Sequence, residues 1–247
     1  MTAVERLAAA GCVAPDAEAR ELLHDAPDAG ELEERVRRRE AGEPLAWITG
    51  RVTFGGVVVH VAPGVYVPRL QTEELARRAA AVLPARGVAL DLCTGSGAVA
   101  AWMARAVPSA FVVGVDIDVR AVRCAMRNGV RGVVGDLAAP VHATDAVDVV
   151  TAVAPYVPTA EQRLLPSDVQ RHEPARALDG GDDGLAVVRR VVAHAAVLLR
   201  VGGHLLLELG ADQDVTLAPD LSGHGFAVAA PWHDDDGDLR GLVAVRR

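Results

Sequence analysis
Asp91-Leu-Cys-Thr-Gly-Ser-Gly97 closes an apolar run, Val88–Leu92, and opens an alanine-rich stretch, Ala98–Ala106. Open α/β sheets approach their ligands where a strand hands over to a helix through glycines, because the missing Cβ atoms let backbone come close. Outward from this turn the pattern repeats. Strand-like runs at Phe111–Asp116, Gly132–Asp136, Val147–Val153 and His204–Leu209 alternate with helix-like runs at Val119–Asn128 and Leu185–Leu199. Such alternation specifies a parallel sheet with helices on both faces. The tail departs from it: Phe226–Pro231 and Gly241–Val245 are joined by the acidic stretch His233–Asp238, which predicts a hairpin adding an antiparallel edge. With Val88–Leu92 the strands number seven, so the expected fold class is α/β, a seven-stranded, Rossmann-like sheet.

Upstream, Leu7, Leu22, Leu23, Leu32 and Val36 recur at helical spacing, with breaks at Gly11, Pro15, Pro27 and Gly30. The period then changes. Arg51–Val61 is β-branched and interrupted by Gly55-Gly56, which reads as a β-hairpin. The organisation that follows is a short N-terminal helical segment at 1–50, a hairpin linker at 51–66 and the sheet domain at 67–247.

A chain of 247 residues suits one α/β domain with a small appendage. Its 51% apolar and 23% charged residues exclude wholesale disorder and disulfide-scaffold classes. Only three Trp, two Tyr and three Phe are present, so the core must be aliphatic and any aromatic in a motif stands out. A net charge of −8 argues against direct nucleic-acid binding, which relies on a basic face. Cys12, Cys93 and Cys124 lie far apart, without the Cys-x-x-Cys spacing of a zinc site or the pairing of a disulfide framework. Asp234-x-Asp236-Gly237 imitates a calcium loop, but Val245 stands where the twelfth ligand belongs, so no metal is expected. The N-terminus has no apolar signal core, and no apolar run reaches the roughly 18 residues of a membrane span. A cytoplasmic protein without membrane contact is the expectation.

Three acids mark three consecutive strand ends: Asp91, Asp116 and Asp136. Asp116 is placed to bond two ribose hydroxyls of a nucleoside, and Asp136 to reach the neighbourhood of an adenine. Gly95-Ser-Gly-Ala-Val-Ala100 also satisfies the loose dinucleotide fingerprint. Asp91 decides against that reading, since a carboxylate at the strand end faces a pyrophosphate with the wrong sign. S-adenosylmethionine carries an ammonium and a sulfonium, both cationic, and suits an acidic rim.

Thr151-Ala-Val-Ala-Pro-Tyr-Val-Pro158 lies at the end of the fourth strand, beside the place where the donor's methyl would sit. With this stretch the chain resembles the protein-(glutamine-N5) methyltransferases, which methylate the glutamine of a Gly-Gly-Gln tripeptide in peptide chain release factors. The resemblance rests on Gly42-Glu-Pro-Leu45, Thr49-Gly50, Phe54, Val67-Pro-Arg69, Thr72-Glu73, Asp91 to Gly97, Asp116 and Ala154-Pro-Tyr-Val-Pro158. It continues through Glu173-Pro174, Ala177 to Leu185, and Gly202 to Gly210 with Gln213. The chain is similar above all to a paralogous branch whose motif reads Asn-Ala-Pro-Tyr, here Val-Ala-Pro-Tyr. The resemblance implies a class I S-adenosylmethionine-dependent methyltransferase. Cys93, Thr94, Gly95, Ser96 and Gly97 would then line the donor's methionine part, Asp116 would hold its ribose and Asp136 with Leu137 border its adenine, with Asp91 and Ile117 completing the donor-binding set. Val153, Ala154, Pro155 and Tyr156 would form the catalytic loop, and Phe54 and Arg69 walls of the substrate pocket.

In the family the Asn at the position of Val153 accepts a hydrogen bond from the substrate amide, as does the carbonyl of the next residue. Val153 has no side-chain acceptor, whereas Ala154 keeps its carbonyl. Leu70 and Gln71 replace a Pro and an acid, Cys93 replaces Gly, and the helical N-terminal part is shorter than in the family. Three acceptor readings stay open: glutamine of a release factor, a small metabolite with a stronger nucleophile, and a donor-binding partner protein that transfers nothing. A nucleic-acid methyltransferase is weighed against by the acidic balance. His172, after the Pro-Tyr loop, is a candidate base, and Asp182-Asp183 a candidate cap for the helix that follows.

Overall fold
A computed structural model describes residues 1–141 and 144–247, with side chains outside 228–230. Four short helices come first: α1 Ala3–Ala9, α2 Pro15–Leu23, α3 Ala29–Glu40 and α4 Leu45–Thr49. Their starts follow local chemistry. Thr2 and Glu5 form a reciprocal capping box on α1, proline occupies the first turn of α2, and the Asp28 carboxylate accepts from the Glu31 amide at the start of α3. Gly50, at φ 73°, ends α4 in the left-handed region that glycine enters freely. Leu7, Ala19, Leu22, Val36 and Ile48 make a separate small core; Leu23, expected on the same stripe, is exposed.

Strands β1 Arg51–Phe54 and β2 Val57–His60 pair antiparallel as a hairpin. The rest of the chain is α5 Thr72–Val82, β3 Val88–Leu92, α6 Ala98–Ala106, β4 Phe111–Asp116, α7 Val119–Arg127, β5 Arg131–Val134 and β6 Val147–Ala152. After these come α8 Ser167–His172, α9 Ala186–Leu198, β7 Leu199–Glu208, α10 Gln213–Gly223, β8 Phe226–His233 and β9 Leu239–Arg246. The seven-stranded sheet has the order β5-β4-β3-β6-β7-β9-β8. Strands β3 to β7 run parallel, and β9 pairs antiparallel with both β7 and β8.

The sheet is a two-sided core because neighbouring side chains on a strand point to opposite faces. Leu90, Val113, Val150 and Leu207 pack with α9 and α10, while Ala89, Val112, Val149 and Leu206 pack with α5 and α6. Chain order reverses between β3 and β6, so the ligand crevice of such a sheet lies beyond their carboxyl ends.

Several expectations need correction. Helices α5, α8 and α10 are additional to the elements read from the sequence; α10 carries an internal proline, Pro219, which masks its pattern. Strand β7 begins at Leu199 rather than His204, running through Gly202-Gly203 where its register with β6 shifts. A Cβ on Gly203 would stand 2.9 Å from the Arg200 carbonyl oxygen and 3.1 Å from that of Val147, so the glycine marks close backbone approach, not a break. Neither acid expected to cap α9 does so: Leu185 is the N-cap, without a side-chain cap, and Asp183 accepts from the Leu185 amide at 3.0 Å, ahead of the first turn. Among the described residues no helix is long and apolar enough to cross a membrane.

Candidate active site
The turn after β3 is tied to both neighbouring strands. Asp91 is buried, and its two oxygens accept from the hydroxyls of Thr94 at 2.6 Å and Thr151 at 2.7 Å. Thr151 lies opposite Asp91 in the β3–β6 register, so the carboxylate bridges the switch point of the sheet. Asp116, at the end of β4, accepts from the amides of Gly95 and Asp118, each at 2.9 Å. Cys93, Gly95 and Gly97 all have positive φ, at 57°, 56° and 81°. Cys93 bears a strained backbone that glycine would adopt without cost. Burial pushes its thiol well above the ordinary cysteine range, which disfavours the thiolate.

A cavity of about 340 Å³ opens over this turn, lined by Asp91, Cys93 to Ser96, Asp116, Ile117, Asp136 and Leu137 from the expected donor set. Gly97 is the member of that set outside it. A Cβ there would meet Ala125 at 2.7 Å, so this glycine serves the packing of α6 on α7. Val153 and Pro155 close the cavity's other end. Sequence reasoning missed Tyr66, Arg176 and Arg190 on its wall. Arg190 donates to Asp136 at 2.7 Å, leaving that carboxylate half-exposed and paired. Tyr66 directly precedes the quoted Val67-Pro-Arg69 and, as one of two tyrosines, could have been flagged.

A second cavity, about 590 Å³, lies between the N-terminal helices and the loop after β6; Cys12, Arg39, Arg69, Ala154 and Tyr156 line it. Tyr66, Val153 and Ala177 line both cavities, so the two chambers share a wall that includes Val153. Arg69 reaches this wall while donating to the buried Glu173 at 2.5 Å and lying over the Tyr66 ring. Phe54 is not a pocket wall. It is fully buried among Leu75, Val99 and Met103, because the hairpin presses its inward residue onto α5 and α6. His172 lines neither cavity; its ring stands edge-on to Trp47.

Electrostatically the donor cavity is an acidic lip. Burial pushes the Asp91 carboxyl up to about 6, against the two threonine hydrogen bonds that pull it down. Burial also raises Asp116, partly offset by its backbone donors. For an acid raised from an ordinary value of 3.8, the folded state holds a proton that the unfolded chain has released, so this group's contribution to stability falls as pH rises from about 4 to about 6. Asp91→Asn has no such charge to bury. In denaturant titrations its stability relative to wild type is expected to improve between about pH 4 and pH 7. Parallel pH profiles for the two proteins would exclude an ionisable Asp91 as the cause.

The residues present fit a cationic nucleoside donor. Gly95 leaves nothing within 4 Å of the place a Cβ would take, which keeps the backbone open to a ligand. Asp116 retains free lone pairs beyond its two amide donors, and Asp91 supplies negative charge at the floor.

Comparison with known proteins agrees. A methyltransferase-domain family model matches residues 89–172. A release factor glutamine methyltransferase of Mycolicibacterium smegmatis is 37% identical, over 99% of this chain and 95% of that protein. A Streptomyces pristinaespiralis protein described as 4-amino-L-phenylalanine/4-methylamino-L-phenylalanine methyltransferase is 41% identical, over 72% of this chain and 65% of its own length. Among solved structures, a methyltransferase from Pyrococcus furiosus superposes with a TM-score of 0.57 at 20% identity, covering 78% of this chain and 90% of that one, which supports the fold.

Proposed function
Because the chain belongs to the release factor glutamine methyltransferase family, and so is an S-adenosylmethionine-dependent methyltransferase, we propose that its acceptor is the side-chain amide of a glutamine in a peptide chain release factor. The observation that carries this reading is the wall the two cavities share, Tyr66, Val153 and Ala177, with Ala154 and Tyr156 on the acceptor side. S-adenosylmethionine supplies an electrophilic methyl carbon on a sulfonium. In this reading Asp116 holds the ribose and Asp91 the positive end of the donor. The Ala154 carbonyl accepts an N–H of the acceptor and turns the nitrogen lone pair toward the methyl. A C–N bond forms as the C–S bond breaks, the electron pair leaves with sulfur, and the nitrogen then releases a proton.

The contribution of the protein is orientation and polarity aimed at the transition state, since an amide lone pair is delocalised into its carbonyl. Val153 leaves the site one side-chain acceptor poorer than the family pattern, and this favours a second reading. An amine needs less polarisation than an amide, and the relative from Streptomyces pristinaespiralis is named for an aromatic amine.

One experiment separates the two. The protein is incubated with S-adenosylmethionine and either a release factor or 4-amino-L-phenylalanine, and methyl gain is followed by mass spectrometry. Methylation of the release factor at its Gly-Gly-Gln glutamine supports the first reading. Methylation of the amine alone supports the second, and neither product removes both.

A further inference from the structure
Glu208, the last residue of β7, is buried and lines neither cavity. Its Oε2 accepts from the Thr72 hydroxyl at 2.6 Å and its Oε1 from the Tyr156 hydroxyl at 3.0 Å. Thr72 is on the wall of the donor cavity and Tyr156 on the wall of the acceptor cavity. One carboxylate therefore ties the two chambers together. Two further residues of the same segment grip Tyr156. Gln213 is buried; its Nε2 donates to the Tyr156 carbonyl at 2.8 Å while its Oε1 accepts from the Gly210 amide at 3.1 Å. Gly210 faces the Tyr156 ring, where a Cβ would stand 3.7 Å away. Gly184 fits so closely beside this bond that a Cβ would be 2.3 Å from the Tyr156 carbonyl oxygen and 2.5 Å from Gln213 Nε2.

Burying a carboxylate costs free energy, and an apolar residue would fill the same space without that cost. The hydrogen bonds Glu208 makes fix a rotor that no apolar contact can fix, because a phenol ring in a greasy slot is free to tilt. Glu208, Gly210 and Gln213 hold Tyr156 at its hydroxyl, its ring face and its backbone oxygen. A residue held at those points sets where the neighbouring Ala154 carbonyl stands.

We infer that the segment Glu208 to Gln213 is a clamp on the Val153–Tyr156 loop, with Glu208 a positioning residue that keeps the acceptor wall in register with the donor wall through Tyr156 and Thr72. The inference rests on the reading that transfer takes place at that loop.

The test uses the full chain with 13C-labelled tyrosine, in which Tyr66 and Tyr156 are the two signals and Tyr156→Phe assigns them. In wild type, adding S-adenosylhomocysteine is expected to shift the Tyr156 Cζ resonance. In Glu208→Gln, which keeps the shape and one acceptor, the shift remains; in Glu208→Ala it disappears. S-adenosylhomocysteine affinity by calorimetry stays within about twofold, since Glu208 does not touch the donor cavity. In the transfer assay kcat of Glu208→Ala falls about tenfold, the worth of the hydrogen bond to Tyr156, with KM for the donor unchanged. Glu208→Ala combined with Tyr156→Phe loses no more than either alone.

A Tyr156 signal that responds to ligand equally in wild type and Glu208→Ala overturns the clamp, as do losses in the two single variants that multiply. Equal defects in Glu208→Gln and Glu208→Ala together with a lowered melting temperature would reduce Glu208 to a folding role. Should wild type methylate neither acceptor, the acceptor assignment fails while the ligand-dependent shift still decides the clamp.

Discussion

Val153→Asn is expected to raise kcat on a release-factor glutamine by about a hundred- to a thousandfold, at an S-adenosylhomocysteine affinity within about threefold of wild type. Removing one preorganised polar group from a site that stabilises developing charge costs about 3–4 kcal/mol, and restoring one returns a similar amount. In the proposed reading position 153 is where that group would act, because Val153 borders both cavities and stands one residue before Ala154. An asparagine there supplies a second acceptor for the amide hydrogens, so the nitrogen's lone pair is turned toward the donor's methyl by two bonds. The effect belongs in kcat, since the bonds strengthen as positive charge develops on nitrogen. Single-turnover transfer to the release factor measures it. A variant no faster than wild type would place the acceptor elsewhere. A variant that also loses activity on an amine would show that Val153 has become fitted to an apolar acceptor.

Asp116→Ala is expected to weaken S-adenosylhomocysteine binding by about a hundredfold, from two charge-assisted hydrogen bonds worth about 1.5–3 kcal/mol each, discounted because water replaces part of them. Asp116 is suited to this because its raised carboxyl stands on the cavity wall with both oxygens steered by the Gly95 and Asp118 amides. Asp116→Asn retains one acceptor oxygen and is expected to lose about tenfold. Calorimetry at neutral pH reads both, with circular dichroism as the check that the Gly95 turn still folds. Affinity within threefold of wild type in Asp116→Ala would remove the ribose contact from the mechanism.

Much of the sheet is legible from the residues in order. The bounds of Val88–Leu92, Ala98–Ala106 and Phe111–Asp116 coincide in pattern and structure, because Gly87 precedes the first, Gly97 the second and Asp116 closes the third. The buried stripe of α5, Thr72, Leu75, Ala76 and Ala79, is at helical spacing but is carried by one leucine among small residues, and Pro219 masks the pattern of α10. The donor residues from Asp91 to Ser96 and Asp116 are local to strand ends, so their convergence follows once the strands are parallel. Phe54 was misplaced because an aromatic in a motif reads alike whether its ring faces a cavity or a helix. Glu208 and Gln213 were visible only as members of a motif, since their partners Thr72 and Tyr156 lie far from them along the chain.

The order of residues by itself determined the parallel sheet, the acidic strand ends and hence the sign of the ligand they suit, because these depend on period and charge along a short stretch. It also showed that an apolar side chain stands where an amide acceptor would be expected. Tertiary structure alone decided that two cavities share Val153 in their walls, that Phe54 is core, and that a single buried carboxylate joins Thr72 to Tyr156. Those facts are distances between residues remote in sequence, and they exist only once β7 is seated beside β6 with α5 packed across the other side.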